Sequence, residues 1–226
     1  MYKLYIGNKN YSSWSLRPWI LMRELGIEFE EVLVRFGTGA FDGFSPTGKV
    51  PCLSVGGLLI WDSLAISEYL AEEHPAVWPS DRLARAWARC AAAEMHSGFH
   101  ALREFCTMNC GIRVLLKEQP PALASDVSRI SILWRDGLSR FGGPWLAGAE
   151  FTAVDAFYAP VAFRFQTYGI QADAKCAGYT DQLLQLPHMK SWYSEALAEP
   201  FRDQPHEEEA VRAGSFLQDL RHSGEK

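Results

Sequence analysis

The chain has 226 residues, which is long for one small domain and suits two. Hydrophobic residues make up 48% of it and charged residues 22%, as in soluble globular proteins with a substantial core. The net charge of −5 argues against broad nucleic-acid binding, and no run of about 18 uncharged apolar residues predicts a membrane span. The apolar start at 1–6 is too short for a signal peptide, so we expect a cytoplasmic protein that binds neither nucleic acid nor membranes.

The cysteines argue against cross-links and against a metal site. Their number is odd, no Cys-x-x-Cys pair occurs, and they lie at positions 52, 90, 106, 110 and 176. A disulfide framework needs paired cysteines and a zinc site needs closely spaced ligands. We therefore expect free thiols that are buried as small apolar side chains, and no bound metal.

The first 80 residues alternate between strand and helix patterns. Strands are predicted at 4–6, 29–34, 50–55 and 58–61, a first helix around 16–23, and a second helix that begins at 62–63 and ends before Pro75. Two strands joined through a helix run parallel, whereas the hairpin around Gly56-Gly57 is antiparallel. The pattern predicts an α/β domain at 1–76 with a mixed four-stranded sheet.

The second half of the chain carries helical patterns only. After a linker at 77–84, helices are predicted at 83–109, 122–141, 153–168, 180–186 and 189–198. We therefore expect an all-α second domain over 85–226, with a charged, irregular tail after Pro200 that frays at its last residues, 222–226.

Three serines surround the predicted start of the first helix, in the segment Tyr-Ser-Ser-Trp-Ser-Leu-Arg-Pro-Trp at 11–19. In one interpretation, a serine only caps the free backbone N–H groups of the helix. In the other, a hydroxyl at the positive end of the helix holds a thiolate. A free thiol has a pKa near ~8.5, and both a hydrogen bond and the helix dipole favour its ionised form.

Two further segments carry binding chemistry. In Gly48-Lys49-Val50-Pro51, a proline stands at the very start of a strand, where it removes no ladder hydrogen bond. In the segment Trp-Asp-Ser-Leu-Ala-Ile at 61–66, Asp62 and Ser63 precede an apolar helix, as a cap or as a site for a ligand with a carboxylate and an ammonium group. Glutathione has such a head, together with a cysteinyl backbone and a thiol, so the three segments fit one ligand.

At these residues the chain resembles the glutathione transferase superfamily, over essentially its whole length. Residues 48–51 followed by 61–66 are similar to that superfamily's Gly-x-Val-Pro and Glu/Asp-Ser-x-Ala-Ile signature. The resemblance implies a thioredoxin-like, glutathione-binding first domain, an all-helical second domain that shapes the pocket of the second substrate, and a homodimer. It also implies that Val50 pairs with the cysteinyl backbone next to a cis Pro51, that Lys49 lies near the glycyl carboxylate, and that Asp62 and Ser63 bind the γ-glutamyl group.

The segment 11–19 resembles the zeta-like serine group, whose helix start reads Ser-Ser-Cys-Ser-Trp-Arg-Val-Arg-Ile-Ala. Alignment of Arg17 with the first arginine of that motif implies that Ser12 is catalytic, with Ser13 and Ser15 as alternatives. Trp14 stands where the motif has cysteine, and the bulkier indole puts the zeta-type isomerisation of maleylacetoacetate in doubt.

The second domain contributes a structural motif and a set of pocket candidates. Thr152-x-x-Asp155 ahead of an apolar run predicts a capping box, in which Asp155 accepts a hydrogen bond from the Thr152 N–H. The predicted pocket for the second substrate contains Trp14, Arg103, Met108 and Asn109, with His100, Thr107 and Arg113 as further candidates.

The sequence thus predicts an enzyme that ionises the thiol of glutathione and adds it to a small electrophile. Glutathione is expected as co-substrate, and detoxification as the role. One alternative is glutathione-dependent isomerisation or dehalogenation of a small organic acid, with Arg103 or Arg113 on its carboxylate. Another is a non-catalytic glutathione-binding or regulatory protein that keeps the fold.

Overall fold

A computed structural model describes residues 1–221 of the chain. The first part of the fold contains, in chain order, β1 (Tyr2–Ile6), α1 (Ser13–Glu24), β2 (Phe29–Leu33), β3 (Cys52–Val55), β4 (Leu58–Ile60) and α2 (Ser63–Glu73). This is the βαβ unit, loop and ββα unit that the sequence predicts.

The four strands form one mixed sheet with the order β2-β1-β3-β4. Strand β1 runs parallel to β2 and antiparallel to β3, with Leu4 opposite Leu53. Strands β3 and β4 form the predicted hairpin, in which Gly56 and Gly57 have φ values of 56° and 90° that other residues rarely adopt. The mixed sheet of an α/β, thioredoxin-like first part is thereby confirmed.

The second part of the chain is mostly helical. Its elements are α3 (Arg82–Ser97), α4 (His100–Phe105), β5 (Ile112–Leu116), α5 (Pro121–Arg140), α6 (Ala153–Tyr168), α7 (Ala174–Gln185), α8 (Pro187–Ala198), α9 (Gln204–Arg212) and β6 (Gly214–Asp219).

The helix predicted over 83–109 is interrupted at Gly98 and Phe99. Gly98 is extended, and Phe99 has a φ of 56°, in the left-handed region that ends a helix. Helix α4 resumes for six residues only, and 106–109 are not helical. The interruption turns Arg103 back, so that its guanidinium donates hydrogen bonds to carbonyl groups at the end of α3.

Strands β5 and β6 form a two-stranded antiparallel sheet, which corrects the expectation of an all-α second domain to a mostly helical one. They are far apart in the chain, at 112–116 and 214–219, with Ile112 opposite Asp219. The tail after Pro200 is likewise more regular than expected, because it forms α9 and β6. The predicted fraying at 222–226 lies outside the described residues.

Helix α6 is the centre of the second part and connects it to the first. Almost all of its side chains are buried, and it packs against α1, α3 and α7. The predicted capping box at its start is confirmed: the Thr152 N–H donates to Asp155 Oδ2 at 3.0 Å. Asp155 Oδ1 also accepts from the Leu146 N–H at 3.0 Å and from the Tyr179 hydroxyl at 2.8 Å.

The five cysteines are free, as predicted, but only four of them are buried. Cys90 is exposed on α3, because it lies on the face of that helix that points to solvent. Within residues 1–221, none of the helices combines the length and the apolar character that a membrane crossing requires.

Candidate functional site

Two clefts of about 430 and 460 Å³ lie side by side where the first part of the chain meets the second. Trp14, Lys49 and Val50 line both of them. The first cleft reaches toward α4, α6 and α9, and the second toward the start of α2. The three segments that the sequence singles out therefore meet at one joined site.

Two of the three serines at the start of α1 line the first cleft. Ser12 precedes the helix and Ser13 begins it, whereas Ser15 is fully buried and lines neither cleft. The Ser12 hydroxyl donates to Ser15 Oγ at 2.7 Å, and Ser15 Oγ also accepts from the Gly7 N–H at 3.1 Å. Ser15 thus holds the turn between β1 and α1 and does not face a ligand.

An arginine that the sequence analysis missed stands behind Ser13. Arg164 on α6 lines the first cleft and donates from Nη2 to Ser13 Oγ at 3.2 Å. It also donates to the Cys106 carbonyl oxygen. Burial, and to a smaller extent repulsion from Arg103, lowers the pKa of Arg164 to about 10. Arg164 therefore stays protonated at neutral pH. A charged residue between Phe163 and Phe165 on an apolar helix was the signal that could have revealed it.

Trp14 is held between arginines. The guanidinium groups of Arg17 and Arg103 lie over its ring, 4.1 and 4.6 Å from the ring centre. Arg17 also lies 4.9 Å from the centre of the Phe157 ring, and its exposed fraction is 1%. Burial, and to a smaller extent repulsion from Arg103 and Arg164, holds the pKa of Arg17 well below its usual range. Arg17 lies behind Trp14, while Lys49, Arg103 and Arg164 line the first cleft and make its wall cationic.

The predicted second-substrate residues divide into two groups. Trp14, Arg103 and Met108 line the first cleft, as does Thr107. Asn109 does not, contrary to the prediction: it is fully buried and donates to Glu207 Oε1 at 3.2 Å.

Two further candidates also lie away from both clefts. Arg113 donates to the carbonyl oxygens of Cys110 and Ile112, at 3.1 and 2.8 Å, because the chain turns into β5 after α4. His100 is exposed at the start of α4.

Aromatic side chains that the sequence analysis did not single out form the apolar side of the first cleft. Phe36 and Phe41 follow β2 and contact each other edge to face, with ring centres 5.5 Å apart. His206 and Glu209 of α9 line the same cleft. These residues come from distant parts of the chain, so no local pattern connects them.

The second cleft contains the predicted strand start and helix start. Val50 and Pro51 line it, and the peptide bond between them is cis, as the resemblance implies. Asp62 lines it too and caps α2, because its Oδ1 accepts from the N–H groups of Leu64 and Ala65 at 2.9 and 3.3 Å.

The remaining groups at the start of α2 are a half-exposed carboxylate and a buried hydroxyl. Asp62 Oδ2 lies 3.3 Å from His96 Nε2, and 52% of the Asp62 side chain is exposed. Ser63 is fully buried, and its hydroxyl has no hydrogen-bond partner among the described residues. Ser63 is not among the lining residues of either cleft.

Comparison with known families adds to this geometry. The family model described as "Glutathione S-transferase, N-terminal domain" matches residues 11–73, and "Glutathione S-transferase, C-terminal domain" matches residues 113–195. Together the two matches span more than half of the chain. The chain belongs to the glutathione S-transferase family. The predictions of the family, of the fold class and of a glutathione S-transferase are thereby confirmed.

Individual relatives agree with this membership. The chain is 25% identical to a probable maleylacetoacetate isomerase of Caenorhabditis elegans over 74% of its length and 80% of that protein. It is 26% identical to glutathione S-transferase 3 of Zea mays, over 80% and 82% of the two proteins. A glutathione transferase homolog from Burkholderia, solved with bound glutathione, has the same fold with a TM-score of 0.66, 23% identity, and coverage of 86% of this chain and 97% of that one.

Proposed function

We propose that this glutathione S-transferase family member binds glutathione across the two joined clefts and transfers its thiolate sulfur to a small electrophile. The proposal rests on one observation above all: the start of α1, the Val50-Pro51 peptide and the start of α2 border one continuous site. Glutathione carries a thiol, a peptide backbone and an amino acid head, one group for each of these three elements. The Zea mays relative, which is named a glutathione S-transferase, and the Burkholderia structure, which contains bound glutathione, support the same ligand.

The head group is proposed to lie at the start of α2. Asp62 Oδ2 faces the second cleft and suits the ammonium group, while the positive end of the helix suits the carboxylate. The Ser63 hydroxyl is proposed to donate to the same carboxylate. It lines neither cleft, but it follows Asp62 at this helix start and has no described partner, so a hydrogen bond to the ligand would remove the cost of an unsatisfied buried group. Lys49, which lines both clefts, suits the glycyl carboxylate.

The thiol is proposed to lie at the start of α1, within reach of Ser12 or Ser13. The dipole of α1 and the cationic wall favour the thiolate over the thiol. Lowering the thiol pKa by about two units requires about 2.7 kcal/mol of preferential stabilisation. One charge-assisted hydrogen bond together with the helix dipole supplies an amount of that order.

A second candidate function is glutathione-dependent isomerisation or dehalogenation of a small organic acid. The cationic wall favours an anionic electrophile: Arg103 lines the first cleft, and its Nε and Nη2 donate to backbone carbonyls while no described residue accepts from its Nη1. The relative named as a probable maleylacetoacetate isomerase supports an acid as substrate.

The assembly is proposed to be a homodimer in the cytoplasm with a role in detoxification. Large apolar side chains remain exposed on the first part of the chain and at the start of α3, among them Leu58, Trp61 and Leu83, with exposed fractions of 54%, 45% and 75%. Large apolar side chains that remain exposed are typical of an interface with a second copy.

The proposed activity is tested by calorimetric titration with glutathione, followed by conjugation assays with neutral and anionic electrophiles. We expect binding and measurable transfer. Binding without transfer to any electrophile would support the non-catalytic alternative, and absence of binding would contradict the proposal.

A further inference from the structure

The two serines that line the first cleft differ in what their hydroxyl groups already do. The Ser12 hydroxyl donates a hydrogen bond to Ser15 Oγ at 2.7 Å. Its oxygen also lies close to Gly7 in the turn after β1, because a Cβ atom added to that glycine would be only 3.2 Å away. Ser13 Oγ instead accepts from Arg164 Nη2 at 3.2 Å, and no described residue accepts the Ser13 proton. Ser13 therefore has a donor to offer to a ligand in the cleft.

We propose that Ser13 is the residue that holds the glutathione thiolate, and that Arg164 is a positioning residue that acts through it. The inference rests on the proposed function. The thiol proton of bound glutathione leaves to water, and the thiolate sulfur accepts a hydrogen bond from the Ser13 hydroxyl. Ser13 Oγ in turn accepts from Arg164 Nη2, so the guanidinium orients and polarises the hydroxyl. Ser12 has a structural role in the turn.

Arg164 is suited to this task because nothing in its surroundings neutralises it. Its exposed fraction is 5%, its Nε has no partner among residues 1–221, and it takes part in none of the ion pairs there. Two titratable neighbours, Cys106 and Tyr168, are neutral at pH 7, since burial raises the pKa of each to about 12. A buried cation without an anion is costly, and a thiolate that enters the cleft lowers that cost.

The other acidic and basic side chains that line the cleft come from three segments of the chain. They are Lys49 before β3, Arg103 on α4, and His206 and Glu209 on α9, while Arg17 on α1 lies behind Trp14. The cations Lys49, Arg103 and Arg17 favour an anion in the cleft, whereas Glu209 opposes one. These cations lower the thiol pKa without a specific hydrogen bond, whereas Ser13 and Arg164 form a directed chain of donors. The two contributions are separable by mutation.

The test is the ultraviolet absorbance of glutathione thiolate bound to the protein, measured against pH. We expect Ser13→Ala to raise the thiol pKa by about one unit or more, with a fall of about tenfold in conjugation rate at neutral pH. Arg164→Gln should also raise the thiol pKa. Ser13→Thr should leave the thiol pKa close to that of wild type, because threonine keeps the hydroxyl. Arg113→Gln is the matched control, since Arg113 also donates to backbone carbonyls but lies outside both clefts.

A double variant separates positioning from direct attraction. If Arg164 acts through Ser13, the thiol pKa in Ser13→Ala/Arg164→Gln should equal that in Ser13→Ala alone. Two residues that act in series do not contribute additively, because Arg164 has no effect once the Ser13 hydroxyl is gone. Additive shifts would overturn the positioning role. A pKa shift in Ser12→Ala with none in Ser13→Ala would overturn the assignment of Ser13.

Folding is checked by denaturation midpoints, and Arg164→Lys, which keeps the charge, replaces the glutamine variant if the latter does not fold. A wild-type protein that gives no thiolate signal at any pH contradicts the proposed function. A wild-type signal that none of these substitutions shifts contradicts only the present inference.

Discussion

Asp62 combines two tasks at the start of α2. Its Oδ1 caps the helix by accepting from two backbone N–H groups, and its Oδ2 lies 3.3 Å from His96 Nε2. About half of the side chain is exposed, and the residue lines the second cleft. Burial lowers the pKa of His96, and this effect is larger than the opposite effect of the Asp62 carboxylate, which raises it. The imidazole is therefore neutral at pH 7. The negative charge of Asp62 thus stays available for the ammonium group of glutathione.

Substitution at this position should separate the two tasks. Asp62→Asn keeps a cap of nearly equal quality but removes the charge, so glutathione affinity should fall by about 1.5–3 kcal/mol while the denaturation midpoint stays close to that of wild type. Asp62→Ala should lose the cap as well, at about 0.5–2 kcal/mol of stability. Calorimetric titration and chemical denaturation measure the two effects. Unchanged affinity in both variants would remove Asp62 from the binding site.

Arg103 is the residue that we propose to bind the carboxylate of an acidic electrophile. Its guanidinium lies over Trp14, and the residue lines the first cleft. Arg103→Gln should therefore raise KM for an anionic electrophile by about tenfold or more, while KM for a neutral electrophile stays nearly unchanged. Arg113→Gln, outside the clefts, serves as control. Equal effects of Arg103→Gln on both substrates would mean that the residue shapes the cleft and does not bind a carboxylate.

At the scale of elements, the start of α6 is the part most exposed to disruption by a single change. Asp155 is fully buried and accepts from Leu146, Thr152 and Tyr179, so it ties together the loop before α6, the helix itself and α7. Loss of such a group leaves several buried donors unsatisfied, and each of those costs about 1–3 kcal/mol.

Asp155→Asn should therefore destabilise the protein more than Thr152→Ala does. The amide NH2 of asparagine cannot accept a hydrogen bond, so at least one buried donor faces another donor. We expect the free energy of unfolding to fall by about 2 kcal/mol or more. The lost threonine cap should lower it by only about 0.5–2 kcal/mol. Glutathione affinity per folded molecule should not change in either variant, because α6 begins away from both clefts. Denaturation midpoints equal to that of wild type would show that the capping box contributes nothing.

Elements whose cause is local could be predicted from the sequence, and those that depend on distant contacts could not. The sheet, both helix starts and the capping box follow from periodicity and from cap residues within a few positions. Strand β5 pairs with β6, which follows it only after five helices, and Arg164 meets Ser13 only after α6 packs against α1. Asn109 was misplaced for the same reason, since the interruption at Phe99 changes the direction of the chain before it.

At the scale of the whole molecule, the exposed leucines test the proposed dimer. Leu83→Glu should shift the protein toward monomer in analytical ultracentrifugation, because a buried charge disfavours an apolar interface. Leu217→Glu is the matched control, a leucine with a similar exposed fraction of 60% on the distant strand β6. A monomeric wild type, or dissociation only in the Leu217 variant, would contradict the proposed interface.

The most direct test of the proposed function is the ionisation of bound glutathione in the wild-type protein. A free thiol titrates near pH ~8.5. With the start of α1, a serine hydroxyl and the cationic side chains of Lys49, Arg103 and Arg164 lining the first cleft, we expect the thiolate absorbance of the complex to appear at a pH about two units lower. A complex in which glutathione binds but titrates like the free thiol would contradict the account, because the site would then hold the ligand without activating it.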